Sequence, residues 1–346
     1  MNAQGTRRFH VMLRLMCEKR LKAQARSASL MFLVTVLAAV GVPVASSAEP
    51  LCAFVSILPQ RYFVERIGGD LVDVSVMVLP GANPATYEPK PKQMASLGKA
   101  RVYFAIGVPF EEVWLNKIAG ANPGMMLVRT DEGIRKIPMA GFRNLVIGVP
   151  QGEDAGHYPG KSRGRTQEEG LRGGGSESEK AHHHGVFDPH TWLSPLLAKI
   201  QARHIRDALC QVDPDHRRNY EKNHEAFARE IEALDKLIRT LFAGKEGTRF
   251  MVFHPAWGYF AHAYGLSQVP VQIEGKEPKP AQLQALISYA RRSGIRAVFV
   301  QPQFSTKSAE SIARAIGGQV VFADPLAEDW AGNLRKQAQQ FRAALR

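Results

Sequence analysis

The sequence predicts an α/β protein of two parallel-sheet lobes joined by one long helix. Three observations predict it. Short β-rich runs alternate with helical patterns from residue 51 to about 118, the alternation resumes from 250 to the end, and a long amphipathic stretch opening at Pro214 separates the two. At 346 residues the chain has the length of two domains. The halves share an architecture but no sequence period, which excludes a repeat array.

Residues 1–48 read as an export signal. Arg7, Arg8, Arg14, Lys19, Arg20, Lys22 and Arg26 form a basic region, an apolar run follows over 30–42, Pro43 breaks it, and Ser46-Ser47-Ala48 has the small residues of a cleavage site. The run is shorter than the ~20 residues of a membrane span, so the sequence predicts cleavage near Ala48 and a periplasmic protein. Met12 or Met16 would also serve as the start, and Arg7-Arg8 lies too far from the apolar run for a twin-arginine signal. The formal charge is +13, and without the first 48 residues 38 basic residues face 31 acidic ones. No Lys/Arg stripe is interleaved with aromatics, which argues against a nucleic-acid partner. Cys17 leaves with the signal; Cys52 and Cys210 stay in an oxidising compartment, as one bridge or as two buried thiols.

The N-terminal lobe, 49–213, opens with a strand over 53–57, where Ala53-Phe54-Val55-Ser56-Ile57 is almost wholly apolar. A helix over 59–67 has Pro59 in its first turn and stops at Gly68-Gly69. A strand over 72–78 runs into the turn residues Pro80-Gly81-Ala82-Asn83-Pro84. A helix over 92–99, a strand over 102–106 and a helix over 110–118 complete a series that implies right-handed βαβ crossovers. Residues 150–185 differ: Gly, Ser, Glu, Lys and Arg dominate, with too little apolar side chain to offset ordering entropy. They read as a mobile loop carrying His157, His182, His183 and His184. A helix over 196–212 ends the lobe.

The linker, 214–243, places Tyr220, Phe227, Ile231, Leu234, Leu237, Ile238 and Leu241 on one face at helical period, and Gly244 and Gly247 end it. About thirty residues at 1.5 Å each reach ~45 Å, enough to cross between lobes. The C-terminal lobe, 244–346, has strands over 250–253, 268–273, 297–301 and 319–322. Its helices fall over 257–264, 280–293, 308–316 and 329–345.

Open parallel sheets bind ligands outside the carboxyl ends of their strands. His254 follows one strand end of the second lobe and Asp324 another. His190 comes from the first lobe, between the turn Asp188-Pro189 and a helix start. Each alone would suit a turn or a helix cap. Together, two imidazoles and a carboxylate from both lobes predict a metal site between them, neutral imidazole being the commonest protein metal ligand. His204, His216, His224 and His262 lie on helical stretches at no ligand spacing and read as solvated or packed.

Longer motifs surround these residues: Pro80-Gly81-Ala82-Asn83-Pro84-Ala85-Thr86-Tyr87-Glu88-Pro89, Asp188-Pro189-His190-Thr191-Trp192-Leu193-Ser194-Pro195 and His254-Pro255-Ala256-Trp257-Gly258-Tyr259-Phe260. With Glu274-Gly275-Lys276-Glu277-Pro278 and Asp324-Pro325-Leu326, they resemble the metal-specific solute-binding proteins of ABC importers, the cluster that takes up zinc or manganese. The resemblance runs from Leu51 to the end. It implies two lobes on one rigid helix, a metal held between them, and delivery to a membrane permease driven by a separate ATPase; a monomer is expected.

One departure matters. Where the family's first motif reads Pro-His, and that histidine binds metal, this chain has Pro84-Ala85. The carried-over ligands are His190, His254 and Asp324. A closed zinc site takes four donors, so a water, Glu88, or His182, His183 or His184 would complete it. Zn2+ is the expected cargo, and Mn2+ or Fe2+ would follow if carboxylates complete the shell. The chain is expected not to be an enzyme. The alternatives are a three-ligand zinc hydrolase, disfavoured by the lack of a His-Glu-x-x-His helix, and a family member adapted to manganese or iron, or to adhesion.

Overall fold

The computed structural model describes residues 49–139, 187–273 and 275–345. The expected signal, the loop with His157 and His182 to His184, and Glu274 lie outside the described residues. Strands β1 (Leu51–Val55), β2 (Val72–Val76), β3 (Val102–Ala105) and β4 (Met126–Arg129) form one sheet in the order β2-β1-β3-β4. Strands β5 (Arg249–Val252), β6 (Ser267–Pro270), β7 (Ala297–Val300) and β8 (Gln319–Phe322) form a second in the order β6-β5-β7-β8. All the pairings are parallel. Each lobe therefore has its order reversal between its first and third strands, where a cleft opens at the strand ends.

The connections are helical: α1 (Leu58–Gly68), α2 (Pro91–Ser96), α3 (Pro109–Ala121), α4 (Pro195–Val212), α5 (Arg217–Phe242), α6 (Gly258–Ala263), α7 (Pro280–Arg292), α8 (Lys307–Ile316) and α9 (Trp330–Ala344). Proline in the first turn starts α1, α2, α3, α4 and α7, where a missing N–H costs nothing. Asp329 caps α9, its carboxylate accepting from Gly332 N at 3.0 Å. The sequence reading has no counterpart of β4. The other strands fall where expected, usually a residue or two shorter.

The linker joins the lobes through one core. Tyr220, Phe227, Ile231, Leu234, Ile238 and Phe242 of α5 are buried, whereas Leu237, expected on the same face, is exposed. Phe227 meets Phe63 of the first lobe with ring centroids 5.6 Å apart and Trp330 of the second at 6.2 Å. Phe63 and Trp330 touch edge to face at 5.0 Å. Further along α5, Phe242 packs on Phe260 and Tyr264. Cys52 on β1 and Cys210 on α4 are both free thiols, and burial raises the pKa of each.

Candidate metal centre

A cavity of about 70 Å3 lies between the lobes, lined by His190 and His254 among mainly apolar side chains that include Ala85, Val108, Phe304 and Leu326. His254 stands two residues past the end of β5. Continuing the register of β5 with its neighbours, Val252 opposite Pro270 and opposite Phe299, sets Gln272 and Gln301 level with it. Both amides hold it. Gln301 Nε2 donates to His254 O at 2.8 Å, His254 N donates to Gln301 Oε1 at 3.3 Å, and His254 Nδ1–H donates to Gln272 Oε1 at 2.8 Å.

His190 arrives by a different route. The chain pairs Phe187 with Pro138, and Asp188 N donates to Ile137 O at 2.9 Å. Asp188 then folds back as an Asx turn, its Oδ1 accepting from His190 N at 2.9 Å and from His190 Nδ1–H at 2.7 Å. A carboxylate acceptor leaves the proton on Nδ1, so the lone pair of Nε2 is the free donor. The second lobe grips this segment: Tyr259 Oη donates to Asp188 O at 3.0 Å, Trp192 Nε1 to Pro325 O at 2.7 Å, and Trp330 Nε1 to Trp192 O at 2.8 Å. The two imidazole centroids stand 5.3 Å apart, edge to face, and His254 stacks on Phe304 at 5.2 Å. Burial, then the neighbouring His190, lowers the His254 pKa to about 4, while Gln272 and Asp188 oppose the shift. His254 is thus neutral and ligand-competent well below physiological pH.

Among the described candidates the structure brings His190 and His254 together, but not Asp324 or Glu88. Asp324 lines an adjoining cavity of about 230 Å3, which shares Gln303 and Leu326 with the first. Its Oδ1 accepts from Leu326 N at 2.9 Å and, weakly, from Gln303 Nε2 at 3.4 Å. Glu88 is exposed and is not a cavity wall. Among the described residues no group of three His, Cys, Asp or Glu side chains is placed to hold an ion. Ala85 lies in the wall of the cleft, its N–H donating to Asn83 Oδ1 at 2.9 Å, and its methyl offers no donor. His204 and His216 are satisfied by Thr130 O and Asp213, in line with the packed reading. The sequence reading assigned no role to Asp188, Gln272 or Gln301; the i, i+2 spacing of Asp188 and His190 is a detectable Asx signal, whereas the glutamines have none.

Two α/β lobes on a shared helix, with imidazoles from both lobes meeting in the cleft, define a solute-binding protein with a metal as cargo. The comparisons narrow the class. The chain belongs to the ZnuA family, zinc-uptake complex component A, periplasmic, whose model matches residues 54–344. The high-affinity zinc uptake system protein ZnuA of Bacillus subtilis (strain 168) is 28% identical over 276 residues, 79% of this chain and 78% of that protein. The zinc-binding lipoprotein AdcA of Streptococcus pneumoniae serotype 4 is 28% identical over 270 residues, 78% of this chain and 48% of that longer protein. A crystal structure of ZnuA superposes with TM-score 0.71 at 39% identity, covering 85% of this chain and 99% of that one. A 138-173 deletion mutant of ZnuA with zinc bound gives 0.70 at 40% identity, covering 86% and 98%. Family membership makes the chain an extracytoplasmic component of zinc uptake that works with an ABC permease and ATPase, and not an enzyme. The hydrolase alternative falls with it.

Proposed function

We propose that this chain captures one zinc ion between its lobes through Nε2 of His190 and Nε2 of His254 and hands it to its permease as a monomer, after signal cleavage near Ala48. The observation that carries the reading is the pair of imidazoles, one from each lobe, each with Nδ1 engaged and both facing one cleft. Fixed Nδ1–H donors commit the other nitrogens to a metal in advance. Asp324 is the third donor in this reading: Leu326 N and Gln303 both bond its Oδ1, which leaves Oδ2 for the ion. With a methyl at Ala85, water takes the fourth position. An apolar wall limits the number of coordinating waters, which favours a four-coordinate ion over Mn2+.

The test is calorimetric titration of the mature protein with zinc. One ion per chain is expected, with His190→Ala and His254→Ala each weakening binding by more than the ~100-fold that outer-shell changes reach. Unchanged affinity in either variant would remove that histidine from the site.

A further inference from the structure

We propose that Gly258 and Asp188 form a positioning pair across the cleft: the missing side chain of Gly258 lets the second lobe close over the Asp188 carboxylate, which in turn aims His190 Nε2 at the metal. The inference deepens the proposed zinc site and rests on His190 being a ligand. Asp188 is fully buried, and its two oxygens have different surroundings. Oδ1 takes both N–H groups of His190. Oδ2 has no hydrogen-bond partner among the described residues and lies against Gly258. A Cβ at residue 258 would come within 2.3 Å of Oδ2, 3.1 Å of Gln268 Nε2 and 3.4 Å of Ile137 Cδ1. No real Cβ tolerates the first of these distances, and a fully buried carboxylate has little room to retreat.

The main chain of Asp188 is held in place, so its carboxylate can yield only by turning about its own side-chain bonds. Asp188 N donates to Ile137 O, Tyr259 Oη donates to Asp188 O, and Ile137 N donates to Tyr259 Oη at 3.2 Å. Any displacement at Gly258 therefore passes into the Oδ1–His190 Nδ1 hydrogen bond. The bond is worth keeping because it fixes both tautomer and ring angle, and loss of such outer-shell partners costs ~10–100-fold in metal affinity. Gly258 has an ordinary backbone conformation, its φ not being among the positive values, so the position needs glycine for space and not for its dihedral.

A double-mutant cycle tests the pair. Gly258→Ala and Asp188→Ala should each weaken zinc binding ~10–100-fold, and the double variant should bind no more weakly than Asp188→Ala alone. In the metal-free protein, the downfield Nδ1 proton of His190, seen by 15N-edited NMR, should shift or broaden in Gly258→Ala. Multiplying effects of the two substitutions, or a Gly258→Ala protein with wild-type affinity and an unmoved His190 proton, overturns the proposal. Should Gly258→Ala not fold, Tyr259→Phe, which removes the bond to Asp188 O together with the one from Ile137 N, must still shift that proton; an unchanged resonance overturns the proposal equally. Wild-type affinity in His190→Ala would instead defeat the zinc site itself, which keeps the two failures distinct.

Discussion

The two lobes carry the same strand order on two different chemistries. In the C-terminal lobe every strand ends in a polar residue that reaches the site or its border: His254 after β5, Gln272 after β6, Gln301 after β7 and Asp324 after β8. The polar groups at the strand ends of the N-terminal lobe satisfy one another instead. Glu111 accepts from Ile106 N and Gly107 N, Ser56 Oγ pairs with Tyr103 Oη, and Gln60 bonds Ser56 N and Thr130 Oγ1. That lobe offers the cleft an apolar wall, with His190 delivered by an irregular segment away from the sheet. Topology places a cleft, and the residues at the strand ends decide whether it binds. The C-terminal sheet lines the site with polar groups at its strand ends, whereas the N-terminal sheet supplies an apolar wall and stability and its lobe's one imidazole comes from outside the sheet.

That division predicts opposite phenotypes for two buried side chains. Gln272→Ala should weaken zinc ~10–100-fold while thermal stability changes little, because His254 loses its orienting acceptor. Glu111→Leu should destabilise the fold by ~1–4 kcal/mol, since the buried Ile106 N–H and the half-buried Gly107 N–H lose their acceptor, a buried one costing ~1–3 kcal/mol. Zinc affinity of the folded fraction should then stay within about threefold. Calorimetry and melting curves on both proteins check the pair; a Glu111 variant that folds normally but loses zinc would erase the distinction.

A second expectation concerns acid. His254 in the metal-free fold should titrate near pH 4 by imidazole NMR, against about 6.5 when unfolded. Between those values the unfolded chain holds the extra proton, so the contribution of His254 to stability is complete above about 6.5 and lost as pH falls towards 4. The shift corresponds to about 3 kcal/mol. A measured midpoint near 6.5 would show an open, solvated ring.

Ala85→His gives the smallest effect and converts the wall into a donor side. A fourth imidazole in place of water should tighten zinc about tenfold, or ~1.4 kcal/mol. No change on titration would mean that the position is already filled, and deletion of His182 to His184 would then be the change that weakens binding.

Much of this arrangement was legible in the sequence. Alternating apolar runs gave both sheets, and the heptad-like spacing of Tyr220, Phe227 and Ile231 gave the linker, because burial on one side leaves a period. β4 escaped because Met126–Arg129 is only half-buried and has no alternation. Leu237 fits the helical face by angle alone; its exposure depends on where α5 meets its neighbours. His190 and His254 were found because imidazole beside a turn or strand end is chemically conspicuous. Gln272 could not be found, since its role exists only through the β5–β6 register. Asp324 was expected beside the histidines, yet β8 pairs Phe322 with Val300, which sets Asp324 one residue beyond the level of Gln301 and next to Gln303.

The central claim is that each lobe contributes one imidazole to one zinc ion. Zinc K-edge X-ray absorption on protein loaded with a single equivalent counts those imidazoles directly. Two imidazole nitrogens with oxygen donors are expected in the wild type, and one imidazole in His190→Ala and in His254→Ala. An imidazole count that stays the same in either variant would contradict it.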